Sequence, residues 1–144
     1  MSVSKAIGRQ VPFAELLGVT VAHCEPGLAR LELAVRPELM NSFENAHGGV
    51  VMTLADIALA VAAITQDGEA RGAQTIELKL SFIGPGTGKL FAEGRCLKAG
   101  NTIAFCEGEV RDSGGQLVAK ALGTFRLRRG RSSGDAIDPA PAGR

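Results

Sequence analysis

The chain has 144 residues, enough for one domain with a core of its own. Its 16 Lys and Arg balance 15 Asp and Glu to a formal net charge of +1, and it has no Trp or Tyr. A nucleic-acid partner held by a basic field or by base stacking is therefore not expected, nor is an anionic membrane surface.

In chain order, residues 1–13 read as an N-terminal segment without a long apolar run or a small-residue cleavage pattern, so no secretion signal is expected. A short helix is compatible with Phe13–Leu17, and a first strand is expected near Gly18–Cys24, before the Pro26-Gly27 turn. From Leu28 to Arg36 the sequence alternates, with Leu31, Leu33 and Val35 opposite Arg30, Glu32 and Arg36, the period of a half-buried strand. Asn41, Ser42 and Asn45 supply turn and cap chemistry, Gly48 and Gly49 open a helix, and Asp67-Gly68 close it.

That helix is apolar on every side, so it must be surrounded by protein. It sits near the lower length limit for a membrane span. A central carboxylate and unanchored flanks argue against one. Asp56 is the only charged residue between His47 and Gln66. Taking a carboxylate out of water costs several kcal/mol unless a partner or a function offsets it. Its helical face-mates include Gly49, Met52, Thr53, Leu59 and Ala60, several of them small, so the acid can look into a ligand cavity. The competing reading is structural: a carboxylate bonded to strand amides or to an Arg across an interface.

After the helix, Ile76, Leu78, Leu80 and Phe82 alternate with Thr75, Glu77, Lys79 and Ser81 in a second half-buried strand. Residues 89–98, 101–112 and 116–129 read as three more strands joined by tight turns at Ala99-Gly100 and Ser113-Gly115. Gly94, Gly108 and Gly123 fall inside those strands. Either a curved sheet presses its backbone onto the helix there, or they mark ordinary bulges. Residues 14–129 thus form the folded domain, and residues 130–144 have little to bury and read as a flexible tail. The fold class is α+β, a curved antiparallel sheet of about six strands around one long central helix.

His47-Gly48-Gly49 places free N–H groups at the positive end of the helix, and glycines admit a substrate close to the backbone. This is the apparatus of an oxyanion hole, although a tight turn with a capping His reads equally well. Gly48 lies eight residues before Asp56, about 12 Å along a helix. One helix cannot bring both to the same carbonyl, so if both act on one substrate, the second comes from another copy of the chain. His23 and His47 are the only histidines, and no metal-ligand spacing involves them. Cys24, Cys96 and Cys106 form no CxxC pair and read as reduced, core-type residues of a cytoplasmic protein.

The string NSFENAHGGVVMTLADIALAVAA, followed by a strand meander that contains TIELKLSFIGPG, resembles the hot-dog-fold acyl-CoA thioesterases of the phenylacetic-acid-degradation type over roughly residues 14–129. The resemblance implies that Asp56 is the catalytic carboxylate, acting as general base or nucleophile, and that the Gly48 N–H polarises the thioester carbonyl. It also implies that His47 shapes that turn, that Asn41 lies near the thioester, and that Thr75 helps hold the water. It further implies a homodimer, assembled as a dimer of dimers, with coenzyme A bound as part of the substrate and no other cofactor. Candidates for contacts to its phosphates are Arg71, Lys98, Arg126 and Arg128, with Asn101 and Thr102 adding lighter contacts. Met52, Leu59 and Phe82, with residues from the partner, are expected to set cavity depth, and Phe43 or Phe105 to cap it, although both read equally well as core residues. The alternatives are a hydratase or dehydratase of the same fold and a non-catalytic acyl-CoA-binding protein.

Overall fold

The computed structural model describes residues 1–129, and the segment read as a tail lies outside the described residues. Two short helices open the chain. Ser2 caps α1 (Val3–Ile7) by accepting the Lys5 N–H on its hydroxyl oxygen, and Gly8 ends it at φ 68°. Pro12 starts α2 (Pro12–Leu17), where its missing N–H costs nothing, and Gly18 stops it in the left-handed region. Residue Gly18 therefore closes a helix rather than opening a strand. The N-terminal segment packs on the domain: Val3 is buried in the core, Ser2 pairs with Thr20, and the Met1 carbonyl accepts the Val21 N–H.

The strands are β1 (Thr20–Glu25), β2 (Leu28–Ala34), β3 (Ala70–Phe82), β4 (Lys89–Ala99), β5 (Ile103–Asp112) and β6 (Leu117–Arg129). They form one six-stranded sheet in the order β1-β2-β4-β5-β6-β3, with every neighbouring pair antiparallel. The central helix α3 (Gly48–Gln66) touches all six strands, the architecture expected of the hot-dog fold. Its length and hydropathy would suffice for a membrane span, but here Leu54, Ala58, Leu59 and Ala62 are fully buried against the sheet.

The glycines explain how the sheet comes so close. A Cβ on Gly94 would lie 2.4 Å from the Ala58 carbonyl oxygen, and one on Gly108 would lie 2.5 Å from both the Glu93 carbonyl oxygen and Leu59 Cδ1. On Gly123 it would meet the Phe125 ring at 2.8 Å and Leu59 Cδ2 at 3.0 Å. Of the two readings of these residues, the pressed backbone is the one the fold uses.

Candidate active site

The first half of the site is the turn into α3. Met40 bridges Ala46, and the Asn41 side-chain oxygen accepts the N–H groups of Phe43 and Asn45, which holds the loop while Glu44 takes a positive φ of 60°. His47 is the N-cap: its Nδ1 accepts the Gly49 N–H at 2.9 Å, placing the ring proton of the neutral imidazole on Nε2. The His47 carbonyl accepts the N–H groups of Val50 and Val51. Of the four opening amides of the helix, only that of Gly48 has no partner among the described residues. Gly48 lines a cavity of about 270 Å³ together with Asn41, Val51, Phe82, Pro85 and Val118.

Asp56 and Thr75 make the second half. The Thr75 hydroxyl donates to Asp56 Oδ1 at 2.7 Å, and among the described residues no Lys, Arg or His pairs with the acid. Burial pushes the Asp56 carboxyl above its ordinary range, and the Thr75 hydrogen bond opposes part of that rise. Strict alternation would put Thr75 on the face opposite Leu78 and Leu80. A bulge changes this: Thr75 pairs with buried Phe125, Glu77 pairs with Thr124, and Ile76 is the extra residue between them. Thr75 therefore shares the helix-facing side with Leu78 and Leu80, the re-aiming of a side chain that bulges provide.

Helix α3 is continuous, so Gly48 and Asp56 stay about 12 Å apart along it. The chain does not cover the helix on every side, contrary to the all-round burial expected. Gly49, Met52, Thr53, Asp56 and Ala60 form a stripe left half-buried or exposed. Beside it, edge strand β3 exposes Ile76 and Phe82, followed by exposed Ile83.

The candidate phosphate contacts gather at one end of the sheet. Arg126 and Arg128 lie opposite Gln74 and Gly72 on β3, Lys98 lies opposite Phe105, and Arg71 sits at the first β3 irregularity. Among the described residues none of these four cations has an ion-pair partner. Asn101 and Thr102 use their carbonyls to accept Arg129 Nε and the Leu127 N–H. Sequence reading missed Arg9, whose guanidinium lies 3.7 Å from where a Gly72 Cβ would be, beside Arg128. No local pattern marks it, because the contact joins residues far apart in the chain.

Two cavity expectations need correction. Leu59 is fully buried between helix and sheet, against Gly108 and Gly123, and so does not line the cavity. Phe105 pairs with Thr124 on the sheet face away from the helix and is 49% exposed, so it caps nothing there. A larger groove, about 390 Å³, lies on that outer face, but its charges largely neutralise one another in the Arg95–Glu93 and Lys120–Glu109 pairs. Burial raises the thiol pKa of Cys24, Cys96 and Cys106, the last up to about 12, so none is activated as a nucleophile. Among the described residues no group of three or more His, Cys, Asp or Glu is placed to hold a metal ion.

Comparison with known proteins gives a consistent result. Residues 43–119 match the thioesterase superfamily. A Saccharolobus solfataricus protein named "Putative esterase" is 34% identical over 116 residues, covering 80% of this chain and 82% of that one. The human protein named acyl-coenzyme A thioesterase 13 is 26% identical, with 87% of this chain and 91% of that one covered. The Escherichia coli PaaI protein of the phenylacetic acid degradation operon shares the fold at a TM-score of 0.80 and 23% identity, with 88% and 91% covered.

Proposed function

The chain belongs to the thioesterase superfamily and is a thioester hydrolase, and we propose that its substrate is the coenzyme A thioester of a small aryl or a short- to medium-chain acyl group. The observation that carries this reading is the pair of half-sites: an unpartnered amide at a helix N-terminus, and an acid of raised pKa held by a hydroxyl. The Gly48 N–H donates to the carbonyl oxygen as charge develops on it. Asp56 takes a proton from water, which attacks the carbonyl carbon, or attacks it directly to form an anhydride that water then opens. Either route releases the free acid and the coenzyme A thiol. Thr75 occupies Oδ1 and leaves Oδ2 for the water or the carbon. A raised pKa makes Asp56 a stronger base than an ordinary carboxylate.

The two half-sites cannot meet within one chain, so the working unit is a homodimer in which Gly48 of one protomer faces Asp56 of its partner. The uncovered stripe on α3 and the apolar edge of β3 support that pairing, because both leave surface for a second copy. Assembly of two such dimers into a tetramer, and a cytoplasmic location, complete the reading. Arg71, Lys98, Arg126 and Arg128, with Asn101 and Thr102, lie within one end of the sheet, where the coenzyme A phosphates find cations that have no ion-pair partner among the described residues.

Complementation tests the whole arrangement. Asp56→Asn removes the base, and Gly48→Pro removes one N–H at the first helical position, where proline is tolerated. Each variant alone is expected to release almost no thiol from an acyl-CoA panel. Mixed by refolding, the two regain about a quarter of wild-type activity, since half the dimers are hybrids with one intact site. Full activity in either single variant, or no recovery in folded mixed dimers, removes the shared site.

A further inference from the structure

We propose that Phe82 sets the length of acyl group that the cavity beside Gly48 accepts, an inference that rests on the acyl-CoA reading above. The cavity volume of about 270 Å³ equals roughly nine water volumes, enough for a short chain or a single ring. The wall at Gly86 cannot yield. At Gly86 a Cβ would already stand 3.2 Å from Leu90, 3.3 Å from Ala46 and 3.4 Å from Val118, so that wall is at contact distance. Those three neighbours are buried in the core, where packing holds them.

Phe82 differs from that wall. Its ring carbons Cε1 and Cζ lie 3.3 Å from the position of a Gly48 Cβ, so the ring rests against the turn that presents the free amide. Yet the residue is 56% exposed, and of the lining residues it is the one large apolar side chain that is also exposed. A carbonyl accepting from the Gly48 N–H therefore has its acyl substituent beside this ring. In the homodimer proposed above this side of the ring faces the second copy, so trimming the ring lengthens the cavity along that interface and leaves the core in place. Neighbouring Ile83 is comparably exposed, at 54%, but does not line the cavity and serves as the control.

The experiment is a chain-length ladder of acetyl-, hexanoyl- and decanoyl-CoA on the full chain, with kcat/KM measured for wild type, Phe82→Ala, Phe82→Leu and Ile83→Ala. Phe82→Ala is expected to raise the decanoyl-to-acetyl ratio about tenfold or more, Phe82→Leu to raise it less, and Ile83→Ala to leave it unchanged. The same ladder is titrated calorimetrically in an Asp56→Asn background, which reads length preference without turnover. Circular dichroism confirms that each variant is folded, and Phe82→Leu carries the test if the Ala variant is not. An unchanged ratio in turnover and in affinity, or no binding of any member, overturns the role of Phe82. A shifted affinity ladder in a protein that hydrolyses none of these thioesters upholds Phe82 and removes the hydrolysis reading instead.

Discussion

Gly94→Ala connects packing to chemistry. The added Cβ would stand 2.4 Å from the Ala58 carbonyl oxygen, 2.6 Å from its carbonyl carbon and 2.8 Å from the Leu59 nitrogen, all of them helix backbone. Ordinary contact begins near 3.4 Å, so helix and strand must separate by about 1 Å, and no flexible side chain can absorb the change. Overpacking of this kind typically costs about 1–3 kcal/mol, a fall in melting temperature of roughly 3–10 °C for a domain of this size. Ala58 lies two residues from Asp56, so the same shift pulls the carboxylate away from Thr75, whose hydroxyl now holds it at 2.7 Å. A displacement of about 1 Å at a reacting group costs on the order of a hundredfold in rate. Urea unfolding followed by circular dichroism, beside thiol release from an acyl-CoA, measures both effects on one preparation. Gly68→Ala is the matched control, because nothing lies within 4 Å of its added Cβ. The reasoning is refuted if Gly94→Ala matches that control within about 0.5 kcal/mol and keeps its kcat.

Two further outcomes follow from Asp56. Its folded-state pKa lies above the unfolded reference of 3.8, so the native state binds more protons between those values and stability falls as pH rises through that window. Asp56→Asn is accordingly expected to unfold at higher denaturant than wild type at pH 7, with the gap closing as pH is lowered toward 4, while kcat drops about 10²- to 10⁴-fold. Equal midpoints at neutral pH would show that burial costs the ionised acid nothing. Thr75→Val removes the hydrogen bond that lowers the Asp56 pKa, so the acid limb of the kcat/KM profile moves to higher pH, whereas Thr75→Ser retains the wild-type limb. Superimposable Thr75→Val and wild-type profiles would show that the hydroxyl does not tune the base.

What the sequence by itself determined was the pattern of elements and the suspicion about one acid. Alternation in Leu28–Arg36 and in the later strands, the unbroken apolar run after Gly48 and the turn glycines all depend on neighbours a few residues away, and such patterns are local. For the same reason the isolation of Asp56 and its distance from the HGG turn could be read before any fold was known.

Tertiary structure decided what depends on residues far apart in the chain. The bulge at Ile76, which turns Thr75 toward Asp56, is invisible in a strand of perfect alternation, because it arises from pairing with β6. Only the packed sheet shows that Gly94 meets helix backbone, that Leu59 is core, and that Phe105 faces away from the cavity. The free Gly48 amide likewise emerges only after His47 has taken the partners around it. Sequence pattern selects which residues can be buried or polar, but register and close contact between distant segments choose which atoms remain available for chemistry.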